Sequence, residues 1–180
     1  VMPFRFREKN RTVLPSESSG AKDAPPNSLT ILIPSKGRPE QLAALLNYFN
    51  AAGIQYPILL LLSESRKSYL QSAYPHLNLD VIEFGEDATL FTKLKKGMAK
   101  VKTPLVAVHA DNDLMLPAAL KKSVDFLYHN PDYSACEGYH ARFTEEDDII
   151  NFFKIENFVP SIESDEPLAR FNALMRRYQP

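Results

Sequence analysis

The chain has 180 residues, 44% of them apolar and 24% charged, which is enough for a domain with a packed core and ordinary for a globular protein. A net charge of −1 gives no basic field of the kind that holds nucleic acid, and a single cysteine, Cys136, excludes an internal disulfide. The longest apolar run, Ile58 to Leu62, is too short to cross a bilayer, and no charged-then-apolar leader opens the chain. No transmembrane segment and a cytoplasmic location are therefore expected.

Residues 1–28 read as a lead-in. Phe4-Arg5-Phe6-Arg7 alternates as a short strand would, and Ser16 to Ser28 has the Ser-, Pro-, Gly- and Ala-rich composition of a flexible linker. The folded part starts near Leu29. Leu29 to Ile33 predicts a buried strand stopped by Pro34, with Ser35 to Arg38 as the loop after it and Pro39 in the first turn of a helix. Leu42, Leu45, Leu46 and Phe49 recur at the helical period, and Gly53 ends that helix. Pro57 to Leu62 is a second apolar strand, and Ser65 is placed to cap a helix reaching Ala73. Leu79 to Phe84 is a weaker third strand. Asp87 or Thr89 opens a helix expected to turn Phe91, Leu94, Met98 and Val101 inward and Lys93, Lys95, Lys96 and Lys100 outward.

Leu105 to Val108 predicts a central strand covered on both faces, with Asp111 and Asp113 at its end. Residues i and i+2 of an extended segment point to one side, so the two carboxylates are expected to converge. Two such groups repel unless a cation sits between them. Hard oxygen donors of this kind suit Mg²⁺ or Mn²⁺. Asp-Asn-Asp also suits a plain turn, because these side chains bond their own backbone. The apolar strand before the acids and the helix that Pro117 opens after them favour a ligand site.

That helix runs to about Asn130 with Leu120, Val124 and Leu127 inward, and Tyr133 to Gly138 follows as a fifth strand, with Cys136 as a core thiol. Strand and helix alternate about four times, which assigns the α/β class: a mostly parallel sheet flanked by helices. Beyond Gly138, Glu145 to Asp148 reads as a solvated turn, Ile150 to Ile155 as a strand, and Pro167 to Tyr178 as a helix with Leu168, Phe171, Met175 and Tyr178 on one face. The chain begins with Val and no periodic segment follows the last helix, so the natural protein is expected to continue.

Three loops leave the carboxyl ends of strands on one edge: Ser35 to Arg38, Ser63 to Arg66 and Ala110 to Leu114. With a basic helix face beside them, they suit an anionic phosphate ligand. Neither Gly-x-x-x-x-Gly-Lys-Ser/Thr nor Gly-x-Gly-x-x-Gly occurs, so phosphate handling would rest on the metal. His76, His109, His129 and His140 stand in no catalytic motif, and His109 reads as a packed strand residue.

Leu29-Thr-Ile-Leu-Ile-Pro-Ser-Lys-Gly-Arg-Pro39, the strand ending in Ser63-Glu64-Ser65, Lys93-Leu-x-x-Gly97, and Val101-Lys-Thr-Pro-Leu-Val-Ala-Val-His-Ala-Asp-Asn-Asp113 together resemble the nucleotide-sugar-binding half of glycosyltransferases of the A-type fold. The closest likeness is to the large inverting family that includes cellulose and hyaluronan synthases, in a bacterial branch. It covers roughly residues 29–140, with a looser echo in Ser161 to Leu168 and Met175 to Pro180; residues 141–180 would then begin an acceptor-side half, incomplete here. The resemblance implies the nucleotide-diphospho-sugar transferase fold, missing its C-terminal part. It implies transfer of a sugar from a nucleotide-diphosphate donor, a UDP-sugar first, to a saccharide or other hydroxyl acceptor. Pro34, Ser35 and Arg38 would border the nucleoside, Glu64 would hold the base, and Lys93 would lie near the nucleotide. Asp111 and Asp113 match the family's Asp-x-Asp, which contacts the ribose and the diphosphate-bound Mn²⁺ or Mg²⁺. Asn112 and Glu64 stand where Asp is usual, and both keep oxygen ligands. The general base that inversion requires is not singled out among Glu137, Asp147, Asp148 and Glu163.

A sugar nucleotidyltransferase would share the sheet and the metal but would want a glycine-richer loop than Lys36-Gly37-Arg38-Pro39. A phosphatase with an Asp-x-Asp nucleophile would carry it after the first strand. A non-catalytic nucleotide-sugar-binding remnant of a larger polysaccharide-related protein is the reading from outside enzymology.

Overall fold

The computed structural model describes residues 2–4, 23–146, 149–156 and 164–177. Arg5 to Arg7, most of the linker, Asp147, Asp148, Ser161 to Glu163 and Tyr178 to Pro180 lie outside them. In chain order the elements are β1 (Met2–Phe4), a 3-10 turn (Pro26–Ser28), β2 (Leu29–Ser35), α1 (Pro39–Ala51), β3 (Ile58–Leu62), α2 (Lys67–Ala73), β4 (Leu79–Glu83), α3 (Leu90–Met98), β5 (Leu105–Val108), α4 (Pro117–His129), β6 (Ala135–Glu137), β7 (His140–Glu146), β8 (Ile149–Glu156) and α5 (Pro167–Arg177). The described residues sort into two compact units. One is Ala24–Leu120; the other takes those of Val1–Asp23 and Lys121–Pro180.

The first unit is the expected α/β layer structure: four parallel strands in the order β4-β3-β2-β5, flanked by helices. Every residue of β3 is buried, as is every residue of β2 except the half-buried Pro34. Their near-continuous apolar runs mark strands covered on both faces. β2 continues through Pro34 to Ser35 rather than stopping at the proline. Pairing with β5 ends at Leu32, opposite Val108, so beyond it β2 is bonded only to β3, and a missing N–H is tolerated on such a stretch. The most interior strands are thus β2 and β3. The Leu105–Val108 segment, expected to be central, is the edge of this sheet: Val106 is 39% and Val108 51% exposed. Its apolar run is as short as that of a buried strand, and periodicity alone does not separate the two. A hydroxyl pair, Thr30 Oγ1 to Thr103 Oγ1 at 2.8 Å, ties the start of β5 to β2.

α1 follows its sequence pattern. Leu42, Leu45, Leu46 and Phe49 are all buried, and Gly53 takes φ +66° just past the helix end. In α2, Ser65 is not the cap. Its hydroxyl donates to Glu83 Oε2 at 3.3 Å, and the helix N-terminus is instead met by Glu83 Oε1, which accepts from the Lys67 N–H at 2.8 Å. A strand-end carboxylate from β4 thereby takes an orphan donor of the first turn.

α3 is rotated from the expected face. Thr89 is its N-cap, accepting from the Thr92 N–H at 3.2 Å. Phe91 is 75% and Met98 42% exposed, whereas Lys93 and Gly97 are buried and Leu94 packs on the Leu32, Leu59 and Leu61 cluster. Gly97 explains the rotation. A Cβ there would lie 2.8 Å from Leu61 Cδ1 and 2.9 Å from Leu32 Cδ1, so only glycine lets the helix lie this close to the sheet. Gly97 therefore sets which stripe of α3 faces inward, and Lys93, one turn earlier, is carried in with it.

In the second unit, β6 pairs antiparallel with β1 instead of extending the parallel sheet, and β7 and β8 form an antiparallel ribbon with a register shift at Arg142/Phe143. Glu145 and Glu146, read as part of a turn, belong to β7. In α4, Leu120 and Val124 are buried as their spacing predicts. In α5, Leu168, Phe171 and Met175 are exposed. No helix among the described residues is long and apolar enough to cross a membrane.

Gly97→Val will destabilise the fold by about 2 kcal/mol, since two buried leucine methyls must move, while Phe91→Ser will stay within about 0.5 kcal/mol of wild type. Urea unfolding of both variants checks this. The opposite ranking would restore the face drawn from periodicity.

Candidate functional site

The chain order β2, β3, β4 runs outward in one direction, and α3 then returns it to β5 on the other side of β2. The carboxyl ends of β2 and β5 form the point where the strand order reverses, which is where open α/β sheets bind ligands. Most of the residues singled out from the sequence meet there.

Asp111 lies in the turn after β5 with no exposed side-chain surface. Its Oδ1 is 2.6 Å from an Arg38 guanidinium nitrogen, while Arg38 itself is 46% exposed. The contact is an ion pair and not a hydrogen bond; neither Oδ1 nor Oδ2, both buried, has a hydrogen-bond partner among the described residues. Arg38 is the N-cap residue of α1, in an exposed loop with Lys36 and Gly37. Gly37 holds φ +66°, and its N–H donates to Glu64 Oε1 at the end of β3. Glu64 thus fastens the β2–α1 loop to the neighbouring strand end.

Lys93 reaches the site from α3. Its Nζ donates to the Ser35 carbonyl at 2.6 Å, at the last residue of β2. Burial pushes the pKa of this ammonium below its ordinary value. The Glu64 and Asp111 carboxylates pull it back up, and Lys36 adds to the depression. Lys93 is therefore not one of a solvated row; it is a buried charge in the field of the Glu64 and Asp111 carboxylates. Ser35 is buried and its carbonyl also accepts from the Ser63 N–H at 3.3 Å, so a single carbonyl links β2, β3 and α3.

Asp111 and Asp113 are not equivalent. The chain turns at Asp111-Asn112 instead of running extended, so the i, i+2 rule for strands does not apply; Asp111 is buried and Asp113 exposed. Asp113 lies by His109. Burial pushes the pKa of this imidazole down, against the opposing effects of the Asp113 carboxylate and of a hydrogen bond with the Asp113 backbone. His109 is the packed residue it was expected to be: 7% exposed, its ring 5.8 Å from that of Phe49, its N–H on the Leu32 carbonyl at 2.9 Å.

Beside these residues, on the side of α1 and α2, is a cavity of about 100 Å³ lined by Ser35, Leu42, Leu62, Glu64, Tyr69 and Tyr74, among others. It is smaller than the roughly 300–1,000 Å³ usual for a whole ligand, so it suits part of one. Arg38, Lys93, Asp111 and Asp113 do not line it. Tyr69 and Tyr74 were not foreseen, since one tyrosine on a short helix and one just past its end carry no distinguishing pattern.

Among the described residues no group of three or more His, Cys, Asp or Glu side chains is gathered to hold a metal. Asp111 Oδ1 is already matched to Arg38, which leaves the exposed Asp113 carboxylate as the accessible donor. That donor set does not make an all-protein cage. An ion held there would keep most of its waters, as Mg²⁺ does with one or two carboxylates.

No known protein-family model matches the chain, and no curated protein matches it in sequence.

The Glu83 carboxylate that caps α2 has its pKa lowered below the ordinary value, chiefly by the Lys67 N–H. A depressed carboxylate contributes stability above its unfolded pKa and loses it as the pH falls through the folded one. Glu83→Gln should therefore lower the melting temperature at pH 7, with the gap to wild type closing as the pH falls below about 4.5. A gap that persists in acid would show that the carboxylate charge is not what holds α2.

Proposed function

We propose that the chain carries the donor-binding part of a metal-dependent, inverting glycosyltransferase of the A-type fold, in the large family that includes cellulose and hyaluronan synthases. The donor is a nucleotide-diphosphate sugar, a UDP-sugar first, and the acceptor a hydroxyl of a saccharide or another molecule. The observation that carries the reading is the buried Asp111 carboxylate, paired with Arg38 at the β2/β5 switch point. Glu64 and Lys93 act on the same loop from β3 and α3. Two carboxylates and two basic groups gathered at one sheet edge suit a ligand that offers both hydroxyls and phosphates.

In this reading Pro34 and Ser35 form the floor beside the nucleoside, Glu64 borders the base, and Asp111 accepts from the ribose. Lys93 holds the Ser35 carbonyl and keeps the floor in place. Asp113 and Asp111 would hold Mn²⁺ or Mg²⁺, and that ion when bound supplies charge stabilisation for the leaving diphosphate. The general base is not assigned to any described residue.

Titration with UDP and UDP-sugars, with and without Mn²⁺, is the deciding experiment. UDP binding is expected to tighten with the metal, and Asp113→Asn to remove about tenfold or more of that gain with an unchanged circular dichroism spectrum. Unchanged affinity in Asp113→Asn takes the metal role from that residue. A preference for a nucleoside triphosphate with a sugar phosphate points to the nucleotidyltransferase, and silence towards every nucleotide leaves a non-catalytic remnant.

A further inference from the structure

We infer that Arg38 and Asp111 form a latch that a ligand must open from both sides at once, so that the site selects nucleoside diphosphates against either half of such a molecule. The inference rests on the donor-binding reading above and concerns how that site discriminates.

The pair is asymmetric. Asp111 is fixed, with no exposed side-chain surface, whereas Arg38 is 46% exposed and its guanidinium has one ion-pair partner among the described residues. Its loop is exposed from Lys36 through Arg38, and among the described residues none but the chain neighbours lies within 4 Å of where a Gly37 side chain would be. The backbone of Arg38 is anchored by accepting from the Leu42 N–H at 3.1 Å, while its side chain is half exposed. Beneath it, Asp111 Oδ2 is buried and has neither a hydrogen-bond nor an ion-pair partner among the described residues. A buried carboxylate oxygen without donors is poised to accept them.

Two demands follow. An anion can draw Arg38 away, but it then leaves Asp111 buried without its counter-ion. A group with hydroxyl donors can serve Asp111, but it must first displace Arg38 and offers that cation nothing. A ligand that carries phosphates and sugar hydroxyls meets both demands together: the guanidinium moves onto phosphate oxygens while the hydroxyls replace it at the carboxylate. The closed pair thus acts as a penalty on partial ligands, a form of specificity obtained by disfavouring the wrong partner. Free pyrophosphate and free nucleoside are the molecules it rejects.

The test uses the full chain with three probes: uridine and pyrophosphate without divalent ion, and UDP with and without Mn²⁺. Wild type should bind UDP and bind each half poorly. Asp111→Asn releases Arg38, so pyrophosphate should tighten by about tenfold while UDP weakens. Arg38→Gln releases Asp111, so uridine should tighten by about the same factor while pyrophosphate weakens. Opposite signs for the two halves are what a simple loss of contacts does not produce. Weaker or unchanged pyrophosphate binding by folded Asp111→Asn overturns the latch. If that variant does not fold, Arg38→Gln, altered at a half-exposed side chain, decides through uridine: unchanged or weaker binding overturns it. Wild type that binds UDP beside variants that shift the wrong way removes the latch alone; wild type that binds no UDP removes the donor-binding reading and the latch with it.

Discussion

The site depends on a carboxylate held where water does not reach. Asp111 has no exposed side-chain surface, and the cation that neutralises it stands on a different element, ahead of α1. Taking one partner from a fully buried pair costs about 3–5 kcal/mol; the half-exposed Arg38 makes the figure here smaller, because water screens its side of the contact. The pair still makes the geometry of the β2–α1 loop and that of the β5 end interdependent. The sheet order puts those two ends side by side, because the chain moves outward from β2 through β4 and only then returns to β5.

A second charge is buried for a different reason. Lys93 comes inward because Gly97, a turn later on α3, lets the helix lie against Leu32 and Leu61. The ammonium then has one partner at hydrogen-bond distance, the Ser35 carbonyl, and two carboxylates in its field. Packing and electrostatics are linked here through a residue without a side chain. A larger residue at position 97 would push α3 outward and move Lys93 with it, so the core contact and the position of the charge stand or fall together.

The loop that these groups surround is held from three sides. Glu64 binds the Gly37 N–H from β3, Lys93 holds the carbonyl of Ser35 from α3, and Lys36 donates to the Glu86 carbonyl at 2.6 Å. Its side chains at Lys36 and Arg38 remain exposed. A loop tied at its backbone that still presents the exposed Arg38 guanidinium is a suitable arrangement for an anion, since the loop is ordered beforehand.

The α/β class, the four strands of the parallel sheet, the buried face of α1 and the meeting of the loops that carry Ser35, Arg38, Glu64 and Asp111 at one sheet edge were legible in the sequence; the inward turn of Lys93 was not. Strand periodicity and breaker residues report local burial, and parallel connectivity sends every strand end to the same side. What the sequence did not reveal depends on neighbours distant in the chain. Whether Leu105–Val108 is central or at an edge depends on which strands pair with it, and an apolar run reads the same in both places. The rotation of α3 depends on two leucines that a glycine alone can accommodate. The different environments of Asp111 and Asp113 arise because the chain turns after β5, placing one carboxylate under Arg38 and leaving the other in water. Local sequence determines which residues prefer the interior; only the tertiary arrangement decides which of the polar ones find a partner there.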